Sequence, residues 1–298
     1  MGILDGKAGF VTGGGRGIGR GHCLHLGAQG AGVVVNDVDL DEAEKVVTEI
    51  REAGGRAVSS QADIGSRKGA QELVEQCVDE FGAVDCVVNN AGIVRDRSFL
   101  KMSDEEWEDV LRIHAGGTFW CAQEGARRMR AAGTGGSIVN TVSAAHMGNF
   151  GQTNYGGAKG AIASMTYTWA NELSRYGIRV NAISPSGTTR MSESAKGVDG
   201  KSPAAGWFLD PTLNGPFVAY LCSDDGNWIT GQVFGTGGDR VVIMDQPSYG
   251  TGMFRPEGWG VEALQEQMPK FFKNRLQAVG LHKQPYPYYD GVVPPDGD

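Results

Sequence analysis

The chain has 298 residues, 40% hydrophobic and 21% charged, enough to bury the core of one large α/β domain or two small ones. A formal net charge of −8 argues against a general nucleic-acid or anionic-membrane partner. Five dispersed cysteines without a Cys-x-x-Cys read as reduced and buried, the five histidines lie outside metal-ligand spacing, and no apolar run approaches a membrane span, which leaves a soluble, cytoplasmic protein as the expectation.

Short Val- and Ile-rich runs alternate with longer amphipathic stretches. Ala8–Thr12 reads as the first strand, followed by Thr12-Gly13-Gly14-Gly15-Arg16-Gly17-Ile18-Gly19 and a helix over Ile18–Gly30. Glycines in such a turn let backbone N–H groups approach a pyrophosphate at a helix N-terminus. Gly32–Asn36 is the second strand and ends at Asp37, whose carboxylate suits the two ribose hydroxyls of adenosine and repels a 2′-phosphate. That favours NAD over NADP, while Arg16 in the glycine loop pulls the other way; a plain turn aspartate is the alternative. A helix over Asp41–Ala53 leads to the third strand, Arg56–Ala62, then Asp63-Ile64, which either contacts adenine or caps the helix Ser66–Phe81. Val84–Asn89 is the fourth strand and runs into Asn90-Ala91-Gly92, a turn or the floor of a ribose site.

Ser103 before three acidic residues reads as the N-cap of a long helix, Asp104–Ala132, which contains His114. Gly136–Val142 is the fifth strand, with Ser143 just beyond it. The next helix, Thr153–Tyr176, carries Tyr155 and Lys159 on one face, and an ammonium beside a phenol favours the phenolate. By itself the pair is an ordinary exposed couple of long side chains. Ile178–Ile183 is the sixth strand, followed by a long Ser/Gly/Lys-rich connection, Ser184–Leu209, at the edge where such sheets bind ligands. A helix over Asp210–Leu221 and a seventh strand over Gln232–Thr236 complete the alternation. The pattern predicts a single α/β domain over residues 1–240, a doubly wound Rossmann-type parallel sheet of about seven strands with helices on both faces. Residues 241–298 form an extension with one helical candidate, Val261–Leu276, and a Pro/Tyr-rich end, expected to lie on the body or on a neighbouring subunit.

Taken in order and spacing, Thr12–Gly19, Asn89–Gly92, Ser143, Tyr155, Lys159 and Tyr176–Asn181 resemble the short-chain dehydrogenase/reductase family of one-domain type, over about residues 3–240. The resemblance implies NAD(P)-dependent interconversion of a secondary alcohol and a ketone by a homo-oligomer, dimer or tetramer, acting on a small-molecule substrate. It implies Tyr155 as general acid/base, Lys159 as the residue that holds the nicotinamide ribose and lowers the tyrosine pKa, and Ser143 as the holder of the substrate oxygen. Gly13, Arg16, Gly17, Ile18, Gly19, Asp37, Asp63, Ile64, Asn90, Ala91 and Gly92 would line the cofactor, with Pro185 and Thr188 or Thr189 beside the nicotinamide. His114 stands where the family commonly has the asparagine of a proton relay; it either keeps the main-chain part of that role or simply packs. Pro185-Ser186-Gly187 also departs from the usual Pro-Gly.

More narrowly, Asn36-Asp37, His114 and the extension resemble hydroxyacyl-CoA dehydrogenase units of peroxisomal multifunctional enzymes and bacterial relatives, whose substrates are acyl-CoA or steroid-linked. Trp207, Phe208 and the tail aromatics either line an apolar pocket or pack subunits. A catalytically weak dinucleotide scaffold or redox sensor, and an extended-type epimerase or dehydratase, are the competing readings; the intact Ser143/Tyr155/Lys159 set argues against the first and the short span after the sixth strand against the second.

Overall fold

The computed structural model describes residues 2–189, 208–277 and 280–281. Seven parallel strands, β1 (Ala8–Thr12), β2 (Gly32–Asn36), β3 (Arg56–Ser60), β4 (Cys86–Asn89), β5 (Gly136–Thr141), β6 (Ile178–Pro185) and β7 (Val233–Gly237), follow the predicted ones within a few residues. An eighth, β8 (Arg240–Ile243), was not expected. It pairs antiparallel with β7, returning through Gly237 and Gly238 at φ +131° and +61°. The hairpin forms because those glycines adopt the left-handed backbone a tight reversal needs. The sheet order is β3-β2-β1-β4-β5-β6-β7-β8, so the winding reverses between β1 and β4. Open sheets of this kind place their ligand crevice at the carboxyl ends of the strands flanking that reversal.

The central strands β1, β2 and β4 are mostly apolar and buried because both faces are covered, whereas the edge strands β3 and β8 carry exposed residues. Val11, Val33, Val35, Val88 and Val139 point to one side and pack on Leu26, Val47, Ile50 and Leu221. Phe10, Val34, Val87, Ile138 and Val180 point to the other and pack on Leu73, Cys77, Cys121 and Met129. The alternation along each strand is the two-residue pleat of a β-strand. On the first side lie α1 (Gly17–Ala28), α2 (Leu40–Glu52) and α7 (Gly215–Cys222); on the second lie α3 (Arg67–Phe81), α5 (Gly117–Ala132) and α6 (Thr153–Leu173). All five cysteines are free and buried, as the sequence implied.

The predicted helix Asp104–Ala132 runs without interruption over those residues, as α4 (Asp104–Leu111), a π-helical turn at Arg112–Gly116, and α5. Ser103 does cap α4, in a reciprocal capping box with Glu106. The π turn takes up one extra residue, a device that tertiary packing selects and helical periodicity does not show. Here it seats the His114 ring directly over Gly92, whose Cβ, if present, would lie 2.1 Å from His114 Cε1. Between β6 and α7, residues 190–207 fall outside the described residues, so most of the predicted Ser184–Leu209 connection, with Trp207, does too. The expected helix Asp210–Leu221 is a 3-10 turn, Pro211–Asn214, leading into α7. The extension contains α8 (Val261–Phe272), shorter than expected; its Pro/Tyr-rich end lies outside the described residues.

Candidate active site

The glycine loop is held by sterics on both sides. Gly13 and Gly17 sit at φ +63° and +52°, a region closed to most side chains. A Cβ on Gly19 would lie 2.0 Å from the Gly13 carbonyl oxygen, and one on Gly13 would lie 2.9 Å from Ala91 Cα. Helix α1 opens at Arg16 with no side-chain cap and no acidic residue in its first turn. Its first N–H groups and positive dipole end are therefore available to an anion. Asn90 turns its amide inward, donating to the carbonyls of Thr12 and Gly13 at 3.0 and 3.1 Å. Its side chain thus shapes the loop, while Thr12 Oγ1 accepts from the Asn90 and Ala91 N–H groups at 3.0 Å each. Thr12 heads the glycine motif read from the sequence, but this bracing role for its hydroxyl emerges only once its partners are known.

Asp37 follows β2 and is fixed by two backbone donors, Gly15 N–H at 3.1 Å and Asp39 N–H at 3.0 Å. Arg16 is not free to compete with it. Its guanidinium reaches Asp39 at 2.6 Å and Glu42 at 3.0 Å, so its charge is answered locally. Asp63 closes a turn by accepting from Gly65 N–H at 2.9 Å, and the cap of α3 is Ser66. Ile64 is buried against Gly117.

At the other end, Ser143 leaves β5 in extended conformation, and its hydroxyl accepts from Ala145 N–H at 3.2 Å. Its hydroxyl also hydrogen-bonds the Tyr155 phenol, which favours the ionised tyrosine. Asn154, fully buried, ties the first turn of α6 to the Arg95 and Glu106 carbonyls at 2.9 Å each, which fixes the turn that carries Tyr155. Lys159 is buried, donates from Nζ to the Thr141 carbonyl at 2.6 Å, and lies 5.6 Å from the centre of the Tyr155 ring. Burial pulls its pKa down to about 7. The same burial raises Tyr155, with Ser143 pulling it down and the charge of Asp96 adding to the rise. The sequence suggested that Lys159 would depress the tyrosine. In this structure desolvation outweighs that effect on both groups, since each loses hydration of its charged form.

His114 packs edge-on to Tyr155, with ring centres 5.2 Å apart. Its Nε2 faces both the N–H and the carbonyl of Ile93, at 3.0 and 2.8 Å, and Nδ1 has no partner among the described residues. Burial, then the Lys159 charge, lowers its pKa to about 3, so it is neutral at physiological pH.

A single cleft of about 1030 Å³ runs from the glycine loop to Ser143. The catalytic and cofactor residues proposed from the sequence all border it: Gly13, Arg16, Gly17, Ile18, Gly19, Asp37, Asp63, Ile64, Asn90, Ala91, Gly92, His114, Ser143, Tyr155, Lys159, Pro185, Thr188 and Thr189. Phe208 lines it as well, 79% exposed. The polar residues Asn149 and Gln152 and the apolar Val94 and Leu281 also border it and were not anticipated.

The short chain dehydrogenase family model matches residues 7–198. The chain belongs to the short-chain dehydrogenase/reductase family. It is 40% identical over 224 residues to a short-chain type dehydrogenase/reductase of Mycobacterium tuberculosis, covering 72% of this chain and 77% of that one. It is 37% identical over 251 residues to the peroxisomal hydratase-dehydrogenase-epimerase of Neurospora crassa, covering 81% of this chain but only 27% of that longer protein. A crystal structure of a short chain dehydrogenase from Mycobacterium avium superposes with a TM-score of 0.81 at 36% identity, covering 90% of this chain and 95% of that one. As a member of this family the protein is an NAD(P)-dependent oxidoreductase acting on alcohols and ketones. Its cradle fits such a dinucleotide: the loop backbone is bare where a Cβ would intrude, and the helix end beside it has no side-chain cap and no acidic residue in its first turn. Among the described residues no helix is long and apolar enough to cross a membrane.

Proposed function

We propose that this short-chain dehydrogenase/reductase prefers NAD and interconverts a secondary alcohol and a ketone at Ser143, Tyr155 and Lys159, with a 3-hydroxyacyl-CoA or hydroxysteroid type of substrate foremost. The observation that carries the reading is that these three residues border the same cleft as the glycine loop and Asp37. The preference for NAD rests on Asp37, held by two N–H groups, and on Arg16, occupied by Asp39 and Glu42. A 2′-phosphate would meet three carboxylates there. The substrate class is favoured by the likeness to a hydratase-dehydrogenase-epimerase and by the apolar rim of Val94, Phe208 and Leu281.

The glycine loop and the N-terminus of α1 would hold the pyrophosphate, Asp37 the adenosine ribose, and Lys159 the nicotinamide ribose. When bound, the nicotinamide supplies the hydride acceptor or donor. Ser143 donates a hydrogen bond to the substrate oxygen, and Tyr155 takes the hydroxyl proton in oxidation and returns it in reduction. Lys159, when protonated, offers a cation beside the phenol that stabilises the developing phenolate. His114 stays neutral, so it supports the Ile93 backbone and the Tyr155 ring without placing a second cation beside Lys159. Exposed Phe99, Leu100 and Trp107 around the start of α4 support assembly into a homo-oligomer.

Tyr155→Phe tests the centre of the proposal. Turnover of secondary alcohols with NAD should fall by at least about a thousandfold, in the range of a lost general acid/base, while NADH still binds in a fluorescence titration. Turnover comparable to the unmodified enzyme would refute it.

A further inference from the structure

The C-terminal extension returns to the active site. Helix α8 has no fully buried residue, so core packing does not explain where the chain goes next. Beyond it, Leu281 N–H donates to the Gly148 carbonyl at 2.7 Å, and the Leu281 side chain borders the cleft that holds Ser143 and Tyr155. Gly148 follows the turn Ala144–Met147, directly after Ser143. The two backbones meet glycine to glycine. Gly148 lies at φ +104° with a would-be Cβ 3.2 Å from Gly280 Cα, and Gly280 lies at φ +78° with a would-be Cβ 3.2 Å from the Gly148 carbonyl oxygen. Side chains at either position would hold the strands of chain apart, and with them Leu281.

We propose that the extension builds the substrate-end wall of the active site, and that Leu281 selects secondary alcohols bearing an apolar chain or ring over small polar ones. This rests on the alcohol-oxidising reading above. Ile93, Val94, Phe208 and Leu281, with Val142, Ala144 and Ala145 beside Ser143, are among the apolar residues that line the cleft. Gln152 and Asn149 form a narrow polar strip, and the Gln152 amide is already engaged, donating to Asp96 at 3.1 Å and accepting from Asn149 at 2.9 Å. A polyol would leave its hydroxyls facing this apolar wall, whereas an aliphatic chain would be desolvated by it.

The test compares 2-octanol with 2-propanol as substrates of the full-length enzyme with NAD. Burying a leucine-sized contact contributes about 1.5–3 kcal/mol, so Leu281→Asp should lower the 2-octanol to 2-propanol ratio of kcat/KM by about ten- to a hundredfold, and Leu281→Ala by less. The NADH dissociation constant should hold in both, which separates a lost wall from a damaged fold. An unchanged ratio overturns the proposal. If the unmodified enzyme oxidises neither alcohol, the reaction assignment fails for this class, and the wall is tested without turnover. The native thiols are all buried, so Leu281→Cys introduces one accessible thiol. Its alkylation in the NADH-loaded protein should be slowed by 2-octanol and accelerated when Gly148→Ala is added. Alkylation indifferent to both also overturns the proposal.

Discussion

Replacing Lys159 by methionine is expected to stabilise the protein while it abolishes turnover. The ammonium is buried, and its pKa falls from the ordinary 10.5 to about 7. A folded-state pKa below the unfolded one means that the folded protein pays to carry the proton. At about 1.4 kcal/mol per pH unit, the penalty is roughly 5 kcal/mol well below pH 7, about 4 at pH 7 and about 2 at pH 9. Methionine fills much of the same volume without a charge, but it abandons the Thr141 carbonyl, at a cost of about 1–3 kcal/mol for a buried unsatisfied acceptor. A net gain of about 1–3 kcal/mol at pH 7 should remain, shrinking by about 2 kcal/mol at pH 9. The assay is urea unfolding of both proteins from pH 6 to 9 without cofactor. Burial raises the thiols of Cys23, Cys77 and Cys121, which lowers stability as alkaline pH ionises them in the unfolded chain. That loss is common to both proteins, so their difference isolates the lysine. A stability difference that stays flat from pH 6 to 9 would refute the argument.

Three other outcomes are expected. Gly92→Ala should cost about 1–3 kcal/mol, as overpacking does, because its Cβ would strike His114; adding His114→Asn, which shortens the ring side chain, should recover part of the loss in the same unfolding assay. His22 is fully buried, with neither ring nitrogen hydrogen-bonded among the described residues, and its pKa falls to about 3. Its stability contribution is complete above pH 6.5 and is lost as pH falls toward 3, so His22→Leu should be about 2 kcal/mol more favourable at pH 5 than at pH 7, measured by urea unfolding; no difference between the two pH values would contradict the burial argument. Asp37→Ala should narrow the ratio of kcat/KM for NAD over NADP, and Asp39→Asn with Glu42→Gln in that background should narrow it further by releasing Arg16; no movement in either would show that these carboxylates do not discriminate.

The alternation of Val-rich runs with amphipathic stretches determined the parallel sheet, because a strand buried on both faces has few polar alternatives. The glycine loop, Asp37, Ser143, Tyr155 and Lys159 were legible for a similar reason: each sits at a strand end or helix start whose position the pattern already located. Burial decided what the pattern left open. It sets the protonation of Lys159, Tyr155 and His114, which depends on hydration and on neighbours distant in the chain. It also gave Asn90 a clamp on the glycine loop that the pattern did not show, and it wound a π turn into the predicted helix at Arg112–Gly116, where His114 rests on Gly92. Leu281 was beyond sequence reasoning altogether. A leucine far along an extension acquires meaning only when two glycines, 148 and 280, let separate stretches of backbone touch, and that meeting is a property of the folded chain alone.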